Sequence, residues 1–339
     1  MKTAVLFGGT GFIGSYLSLE LLESNRVEKV ILADLNPICK ERFLPLLEKY
    51  IASNRLEYIK CDVRNDIAGQ LNLESVDFVA NLAAVHREPG HEAYEYYETN
   101  ISGAENVCKW CSEIKCYDLL FTSSIAPYGE ALELKSEKSL PVPFTPYGGS
   151  KLAAEKIHEG WSKLLCENKL TIVRPGVVFG GGEGGNVSRL IRAVLGGYFF
   201  YVGNQKTRKA GVYVKELVAA MAWVHYEVGS ENRTERHLFN MSMQPAPSVK
   251  EYVDVICEVA KKKRIIPSVP FSLLLAASYV VSTVTRALNI DQPVNPVRIR
   301  KLVKSNSIDP KFLRDNGYKY RYTLLSAFSD WKKQAPKEW

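Results

Sequence analysis

Three residues in the first half of the chain have the types and spacing of an acid–base catalytic site: Ser124, Tyr147 and Lys151. Tyr147 and Lys151 stand four residues apart in a segment with helical character, so their side chains share one helix face. An ammonium group near a phenol favours the phenolate, and a phenol with an ordinary pKa of about 10 needs that help to act as a base at neutral pH. Ser124 follows an apolar run and can hydrogen-bond the same substrate hydroxyl. The three residues predict proton removal from an alcohol.

A glycine-rich turn near the start of the chain predicts a dinucleotide site. Gly8, Gly11 and Gly14 separate a short apolar run from a segment with helical spacing. Glycine lets the backbone approach a pyrophosphate, and the helix N-terminus offers N–H groups and the positive end of the helix dipole. Asp34 closes the second apolar run, where a carboxylate accepts hydrogen bonds from a ribose diol and repels a 2′-phosphate. We therefore predict NAD rather than NADP, with Asp62 after the third run placed to meet the adenine.

The elements that carry these residues are short apolar runs alternating with helical segments. This alternation predicts parallel strands with crossover helices on both faces of one sheet. We therefore predict an α/β fold, a Rossmann-type doubly wound parallel sheet with the ligand crevice at the carboxyl ends of the strands. Residues 1–175 are assigned to the NAD-binding domain, with 212–228 returning to its sheet. Residues 176–339 contain many prolines and are assigned mainly to a smaller, irregular C-terminal substrate lobe.

The composition excludes several classes of protein. The 339 residues are 46% hydrophobic and 24% charged, which excludes a disordered chain or a coiled coil. The net charge of +7 is too mild to indicate nucleic-acid binding. The seven cysteines show no disulfide spacing and the first apolar run is too short for a signal peptide, so we expect a cytoplasmic protein. Cys108 and Cys111 have no second ligand pair, and the histidines lack metal-ligand spacing, so no metal is expected.

Taken together, these motifs resemble the extended short-chain dehydrogenases/reductases of the sugar-nucleotide epimerase/dehydratase type over almost the whole chain. The resemblance rests on residues 8–14, 81–84, 122–124, 128–129, 147–151 and 174–175 and on Asn100. It implies bound NAD, Tyr147 as the base, Lys151 beside the phenol and the nicotinamide ribose, and Ser124 on the substrate oxygen. It also implies a homodimer through the two helices that flank the site. The further residues it places at the cofactor are Phe12, Ile13, Val63, Leu82, Ala83, Ala84, Asn100 and Pro175.

The two residues after Ser124 discriminate between the reactions of the family. Its dehydratases carry an Asp-Glu pair directly after the active-site hydroxyl residue, and its decarboxylases carry a Glu. Ile125 and Ala126 stand here, and neither can transfer a proton. We therefore predict a sugar 4-epimerase acting through a transient 4-keto sugar. The alternatives are a UDP-hexose 4-epimerase, a 3β-hydroxysteroid-type or keto-sugar dehydrogenase, and a non-catalytic NAD-binding assembly or sensor subunit.

Two features favour a lipid-linked sugar as the substrate. Lys209 stands where the family usually has an arginine on the nucleotide diphosphate, and lysine lacks the fork geometry of arginine. Residues 265–285 carry no charge, and basic residues flank them. The helix predicted over 271–288 is too short to span a bilayer and suits a peripheral contact at the membrane interface, with burial in the substrate lobe as the alternative.

These features resemble a bacterial subgroup of the family. Its members interconvert GlcNAc and GalNAc on undecaprenyl diphosphate in surface polysaccharide synthesis, which implies the inner face of the cell membrane. The residues that this resemblance places at the substrate are His86, Ser124, Asn186 and Lys209.

Two local features have no counterpart in the family pattern. Gly148 and Gly149 lie inside the Tyr–Lys motif, and Gly181 and Gly182 follow the sixth apolar run. We expect both glycine pairs to alter the sugar pocket. The final stretch, 331–339, is rich in Lys and Trp and is expected to be a frayed end.

Overall fold

A seven-stranded parallel sheet forms the centre of the structure, a computed structural model that describes residues 2–88, 90–130, 133–228, 236–287, 303 and 305–339. Its strands are β1 (Thr3–Phe7), β2 (Lys29–Asp34), β3 (Leu56–Lys60), β4 (Phe78–Asn81), β5 (Asp118–Thr122), β6 (Lys169–Pro175) and β10 (His237–Met241). Four shorter strands form two small sheets: β7 (Val177–Phe179) with β9 (Gly211–Tyr213), and β8 (Tyr201–Val202) with β11 (Ser268–Val269).

Helices cover both faces of the large sheet. They are α1 (Phe12–Glu23), α2 (Leu44–Ala52), α3 (Ala93–Tyr97), α4 (Gly103–Glu113), α5 (Pro146–Ser162), α6 (Asn186–Gly196), α7 (Val214–Trp223), α8 (Val249–Ala260), α9 (Phe271–Ala287), α10 (Lys311–Asp315) and α11 (Leu324–Gln334). One core packs α1 and α7 against the sheet, and a second core packs α4 and α5 against its other face. This arrangement is the predicted doubly wound sheet.

The strand order is β10-β6-β5-β4-β1-β2-β3, so the direction of chain progression reverses between β1 and β4. In β1, the residues 4–7 are fully buried, as expected of a central parallel strand covered on both faces. Ligands of doubly wound sheets bind outside the carboxyl ends of the strands at such a reversal. The turn after Phe7 and the residues after Asn81 therefore border the crevice.

The segment 212–228 does not return to the large sheet through its strand, and that part of the prediction is wrong. β9 pairs with β7, whereas β10 occupies the seventh position beside β6. All five residues of β10 pair in register with β6, from His237 beside Thr171 to Met241 beside Pro175. β9 is only three residues long and would pair over a shorter edge. The contribution of 212–228 to the NAD-binding layer is α7, which packs against α1.

The C-terminal end is a packed part of the core, so the expectation of a frayed end is wrong. Trp331 in α11 is fully buried among Phe179, Phe328 and Trp339. Its indole Nε1 donates to Glu338 Oε2 at 2.6 Å, and Glu338 Oε1 accepts from the N–H of Gly182 at 2.9 Å. Aromatic packing fixes residues that composition alone would assign to solvent.

The charge-free segment forms β11 and α9. Of the helix expected over 271–288, Leu288 lies outside the described residues, as do the basic positions 298, 300, 301 and 304. In the described part of the chain, no helix has the length and apolar character needed to cross a membrane.

Candidate active site

The glycine turn between β1 and α1 has the backbone that a pyrophosphate requires. Gly8 has φ +72°, and a Cβ built on it would lie 2.7 Å from the backbone nitrogen of Ala83. A Cβ on Gly14 would lie 2.5 Å from the carbonyl oxygen of Gly9, so the third glycine lets α1 approach the turn. Gly11 caps α1 without a side-chain hydrogen bond, which leaves the first-turn amides of α1 for an anion. The turn fits a dinucleotide.

Two carboxylates follow the strands beside this turn. Asp34 ends β2, and its Oδ2 accepts from the N–H of Thr10 at 3.2 Å, which brings the acid to the glycine turn. Asp62 follows β3 and is held by Arg64, whose Nη2 lies 2.7 Å from Asp62 Oδ2. That ion pair lowers the pKa of Asp62. Asp34 has the position expected for a ribose partner, whereas Asp62 already shares its charge with a guanidinium.

The remaining residues expected at the cofactor lie in three places. Leu82, Ala83 and Ala84 follow β4 and border the glycine turn, because Leu82 donates its N–H to the carbonyl of Phe7 at 2.9 Å. The other group is buried: Val63 packs in the second core, and Pro175 ends β6. Phe12 and Ile13 form the first turn of α1.

Asn100 holds two parts of the site together through its side chain. Its Oδ1 accepts from the N–H of Val85 at 3.0 Å, and its Nδ2 donates to the carbonyl of Val85 and, at 2.8 Å, to Ser150 Oγ. Both amide hydrogens are therefore used within the protein. The geometry makes Asn100 a link between the segment after β4 and α5.

The structure brings Ser124 and Tyr147 together at the carboxyl end of β5. Tyr147 lies in the first turn of α5, where the side chain of Thr145 caps the helix by accepting from the N–H of Gly148 at 3.2 Å. The Ser124 hydroxyl lies close enough to the phenol of Tyr147 to lower the pKa of that phenol. Its Oγ accepts from the N–H of Ala126 at 3.1 Å, which ties the serine to the backbone that follows it.

Lys151 lies one turn further along α5, in the interior. The residue is 2% exposed, and its Nζ lies 4.6 Å from the centre of the Phe121 ring. Burial lowers the pKa of Lys151 to about 7, while the charge of Glu155 raises it. Burial raises the pKa of Tyr147, which the nearby Ser124 hydroxyl partly offsets. Burial therefore opposes the charged forms of both side chains in the protein by itself.

A buried ion pair supports this trio, and the sequence analysis did not find it. Arg174 donates to the two oxygens of Glu155 at 2.8 and 2.5 Å, and Ser123 Oγ–H donates to the same carboxylate. Glu155 is fully buried. Residues 147, 151 and 155 stand at successive intervals of four, which places the acid on the same face of α5 as Lys151. The interval was visible in the sequence, but an acid four residues after a lysine usually forms a surface pair.

Further contacts connect Arg174 to the C-terminal lobe. The Arg174 guanidinium lies 4.6 Å from the centre of the Tyr128 ring, and Tyr128 Oη donates to Asn240 Oδ1 at 2.8 Å. Asn240 Nδ2 in turn donates to the carbonyl of Asp309 at 3.0 Å. The catalytic helix is thereby connected to β10 and to the segment before α10.

The residues expected at the substrate are not all gathered at this trio. Lys209 is half-buried, which lowers its pKa to about 8, and its neighbour Ala210 packs with Ile125 next to Ser124. His86 is exposed on the segment after β4. Asn186 begins α6 and is exposed, and its Oδ1 accepts from Arg189 at 2.6 Å. Lys209 is followed by a residue that packs with Ile125, whereas Asn186 contacts Arg189 of its own helix.

Close packing and backbone conformation explain why glycine stands at both pairs of positions. A Cβ on Gly148 would lie 2.7 Å from the carbonyl oxygen of Ala126, and one on Gly149 would lie 2.8 Å from Tyr97 Oη, so both glycines let α5 pack closely. Gly181 accepts from Tyr16 Oη at 2.9 Å, and Gly182 has φ +87°. The second pair therefore lies against α1 and the C-terminal end, where it anchors the lobe.

No group of three histidine, cysteine or acidic side chains within the described ranges is arranged to hold a metal ion. All seven cysteines carry free thiols.

The fold and this site define an NAD-dependent enzyme of the Rossmann type. Residues 4–240 match the NAD dependent epimerase/dehydratase family, and the chain belongs to this family. NAD is its cofactor, as in the family, and its chemistry is that of an NAD-dependent sugar epimerase/dehydratase.

Two relatives cover most of the chain. The N-acetyl-alpha-D-glucosaminyl-diphospho-ditrans,octacis-undecaprenol 4-epimerase of Escherichia coli O157:H7 is 28% identical over 324 residues, which are 94% of this chain and 91% of that protein. The 3beta-hydroxysteroid-dehydrogenase/decarboxylase isoform 1 of Arabidopsis thaliana is 25% identical over 94% of this chain and 76% of its own length.

Solved structures share the fold. The UDP-glucuronic acid 4-epimerase from Bacillus cereus in complex with NAD has a TM-score of 0.75 and 19% identity, covering 98% of this chain and 99% of that one. The UDP-Glc/GlcNAc 4-epimerase from Campylobacter jejuni has the same TM-score and identity over 99% and 100%. These likenesses confirm the predicted Rossmann-type fold.

Proposed function

We propose that the chain is a sugar 4-epimerase that acts through a transient 4-keto sugar and takes GlcNAc or GalNAc linked to undecaprenyl diphosphate. The observation that carries the reaction type is the proximity of the Ser124 hydroxyl to the Tyr147 phenol at the end of β5, with Ile125 and Ala126 directly after the serine. The pair can move one proton at one hydroxyl. Neither following residue can move a second proton, which a dehydration requires.

Each residue of the trio then has one task. NAD, when bound, supplies the acceptor and later the donor of a hydride. Tyr147 takes the proton of the sugar C4 hydroxyl as the C4 hydrogen leaves with its electron pair, and a C4 carbonyl forms. Ser124 donates a hydrogen bond to the reacting oxygen. The keto sugar then rotates within the site, so that its other face is reduced. Tyr147 would return the proton to the C4 oxygen.

Lys151 would place its amine beside the phenol and the nicotinamide ribose. Its pKa of about 7 means that the amine is partly neutral before ligands arrive. A positively charged nicotinamide ring near Tyr147 would lower the pKa of the phenol, which burial alone raises. The bound cofactor would therefore help Tyr147 to act as a base.

The glycine turn and Asp34 would hold the pyrophosphate and the adenosine ribose. The turn amides at the N-terminus of α1 would donate to the pyrophosphate. The Asp34 carboxylate accepts a hydrogen bond from Thr10 of the same turn. The segment 82–84 would lie along the nicotinamide half, because it packs directly against Gly8.

Lys209 supports a diphosphate in the substrate. Burial lowers the pKa of its amine to about 8, and a neighbouring diphosphate would restore the charged form. The relative from Escherichia coli, whose name gives a diphospho-undecaprenol substrate, supports the lipid carrier. A membrane-bound carrier implies an enzyme in the cytoplasm at the inner face of the cell membrane, in surface polysaccharide synthesis. Exposed Tyr94 and Tyr97 on α3, beside α5, support a homodimer.

The experiment is incubation of the purified protein with GlcNAc-diphospho-undecaprenol, followed by sugar analysis of the released hexosamine. Formation of GalNAc supports the proposal, and turnover of UDP-sugars alone rejects the lipid carrier. Tyr147→Phe should lower kcat by about 10²–10⁴-fold, the usual contribution of a general base. Tyr117→Phe, at a tyrosine that is 37% exposed, is the matched control.

A second candidate is an NAD-dependent dehydrogenase of the 3β-hydroxysteroid type, which the relative from Arabidopsis thaliana favours. Such an enzyme releases its oxidised product, so net NADH accumulates, whereas an epimerase accumulates none. A UDP-hexose 4-epimerase would instead be fully active without detergent or membranes. A sensor subunit would show no dependence of any turnover on Tyr147.

A further inference from the structure

One face of the C-terminal lobe combines a run of cations with exposed apolar side chains. The cations are Lys261, Lys262, Lys263 and Arg264, which follow α8. The apolar members are Tyr198, Phe200, Ile265 and Leu273. We call these eight residues the lobe surface. None of them belongs to the catalytic trio or to the dinucleotide turn.

Hydrogen bonds hold the parts of the lobe surface next to one another. Arg264 Nη2 donates to the carbonyl of Leu195 at the end of α6, and the N–H of Tyr201 donates to the carbonyl of Pro267 at 2.9 Å. The N–H of Gly203 donates to the carbonyl of Val269 at 3.0 Å, which adds to the pairing of β8 with β11. The segment 198–200 therefore runs beside 264–269, and α9 begins directly after it.

The apolar members are strongly exposed. Ile265 is fully exposed, Tyr198 is 67% exposed and Leu273 is 62% exposed. Exposed apolar side chains that cluster beside polar ones mark interaction sites more often than isolated ones do. Tyrosine suits the boundary between water and acyl chains, and phenylalanine and leucine suit the apolar face of an interfacial segment.

The cations border an open groove of about 640 Å³. Five cationic side chains and two carboxylates line it, and one of these cations, Lys250, pairs with Asp254 at 2.6 Å. The groove therefore has net positive charge. The C-terminus of α8, which borders the groove, is the negative end of the helix dipole and does not attract anions. Any attraction for anions therefore comes from the lysines and Arg264.

We infer that the lobe surface docks on the headgroups of an anionic phospholipid membrane. The inference rests on the proposed function for its biological reason, since a polyprenyl-linked sugar lies in a bilayer. Four adjacent cations complement anionic headgroups, while Ile265, Leu273 and the two aromatic rings enter the interface. A symmetric contact with a second copy would bring two such cation runs near each other, which like-charge repulsion disfavours.

The test is sedimentation of the full chain with sucrose-loaded vesicles that contain no sugar substrate. Vesicles of phosphatidylcholine and phosphatidylglycerol, roughly three to one, are compared with pure phosphatidylcholine. Lys262→Gln with Lys263→Gln should weaken binding to the anionic vesicles by about 30-fold, from about 1 kcal/mol for each cation at an anionic surface. Ile265→Asn should weaken it by about tenfold. The control is Lys319→Gln with Lys337→Gln, two exposed lysines outside the lobe surface, which should bind as the parent does.

Equal binding to both kinds of vesicle, or a double Lys262/Lys263 variant that binds like the parent, overturns the inference. So does a concentration-dependent dimer that Ile265→Asn abolishes, because a second copy would then occupy the surface. These outcomes leave the proposed reaction untouched, since no sugar is present. If the parent protein binds anionic vesicles but shows no epimerase activity, the proposed function is overturned and this inference is not.

Discussion

Glu155 holds Arg174 in a two-point ion pair, with Arg174 Nε and Nη2 at 2.8 and 2.5 Å from the carboxylate oxygens. The pair joins the helix that carries Tyr147 to β6, and Ser123 Oγ–H ties the same carboxylate to the end of β5. Ser124 follows Ser123 directly. The carboxylate thereby links the strand end that precedes Ser124 with the helix that carries Tyr147.

Glu155→Gln should destabilise the protein by about 3–5 kcal/mol, because it leaves the buried guanidinium of Arg174 without a counter-charge. It should also lower kcat more than it raises KM, since Ser124 loses its support. Urea unfolding and steady-state kinetics measure both. Glu155→Gln combined with Arg174→Met should recover stability and stay inactive. Glu133→Gln, at an exposed acid, is the control, and a stable, fully active Glu155→Gln protein would contradict the account.

Lys151→Met tests whether the amine is kept for activity at the expense of stability. The folded-state pKa of about 7 lies below the ordinary 10.5, so the unfolded chain binds more protons between these values. The stability contributed by this group therefore rises as the pH increases from about 7. Lys151→Met should be more stable than the parent near neutral pH, should show less of that rise, and should lose activity. Thermal unfolding at two pH values measures this, and a less stable variant would argue against it.

His158 makes the protein sensitive to acid. The ring is fully buried, its Nδ1 lies 2.7 Å from the carbonyl of Ala154, and burial lowers its pKa to about 4 from 6.5. The unfolded chain binds the proton first, so stability is lost as the pH falls from 6.5 through 4, by about 2 kcal/mol at pH 5.

His158→Gln should therefore lose less stability than the parent between about pH 8 and pH 5, although it starts from a lower value. Denaturant unfolding at the two pH values gives the difference. His91→Gln, at an exposed histidine, is the control. An unchanged acid loss in His158→Gln would assign the sensitivity to other groups.

The sequence predicted the parts of the molecule that local patterns specify. The bounds of α1, β3 and the glycine turn follow from apolar periodicity and from glycine positions, and the spacing of Tyr147 and Lys151 placed both on α5. Contacts between distant residues escaped prediction: the pairing of β10 with β6, the Glu155–Arg174 pair and the packing of Trp331. Each depends on which surfaces meet in the folded chain, and no local pattern encodes that.

Trp331→Ala tests the role of the C-terminal end. Removing a fully buried indole should cost about 3–5 kcal/mol, and the Glu338 carboxylate would also lose its donor. Since Glu338 holds Gly182, the segment 180–185 should become more accessible to protease. Leu325→Ala, at a residue of α11 that is 40% exposed, should change stability little. Comparable unfolding midpoints for the two variants would show that the end is not part of the core.

The most direct test of the central claim uses GlcNAc-diphospho-undecaprenol that carries deuterium at C4 of the sugar. Hydride removal and return within one site predicts a GalNAc product that retains the deuterium at C4, with no net NADH formed and with turnover lowered by about 10²–10⁴-fold in Tyr147→Phe. Mass spectrometry of the released hexosamine gives the answer. Loss of the deuterium to solvent, accumulation of NADH with a keto product, or undiminished turnover in Tyr147→Phe would contradict it.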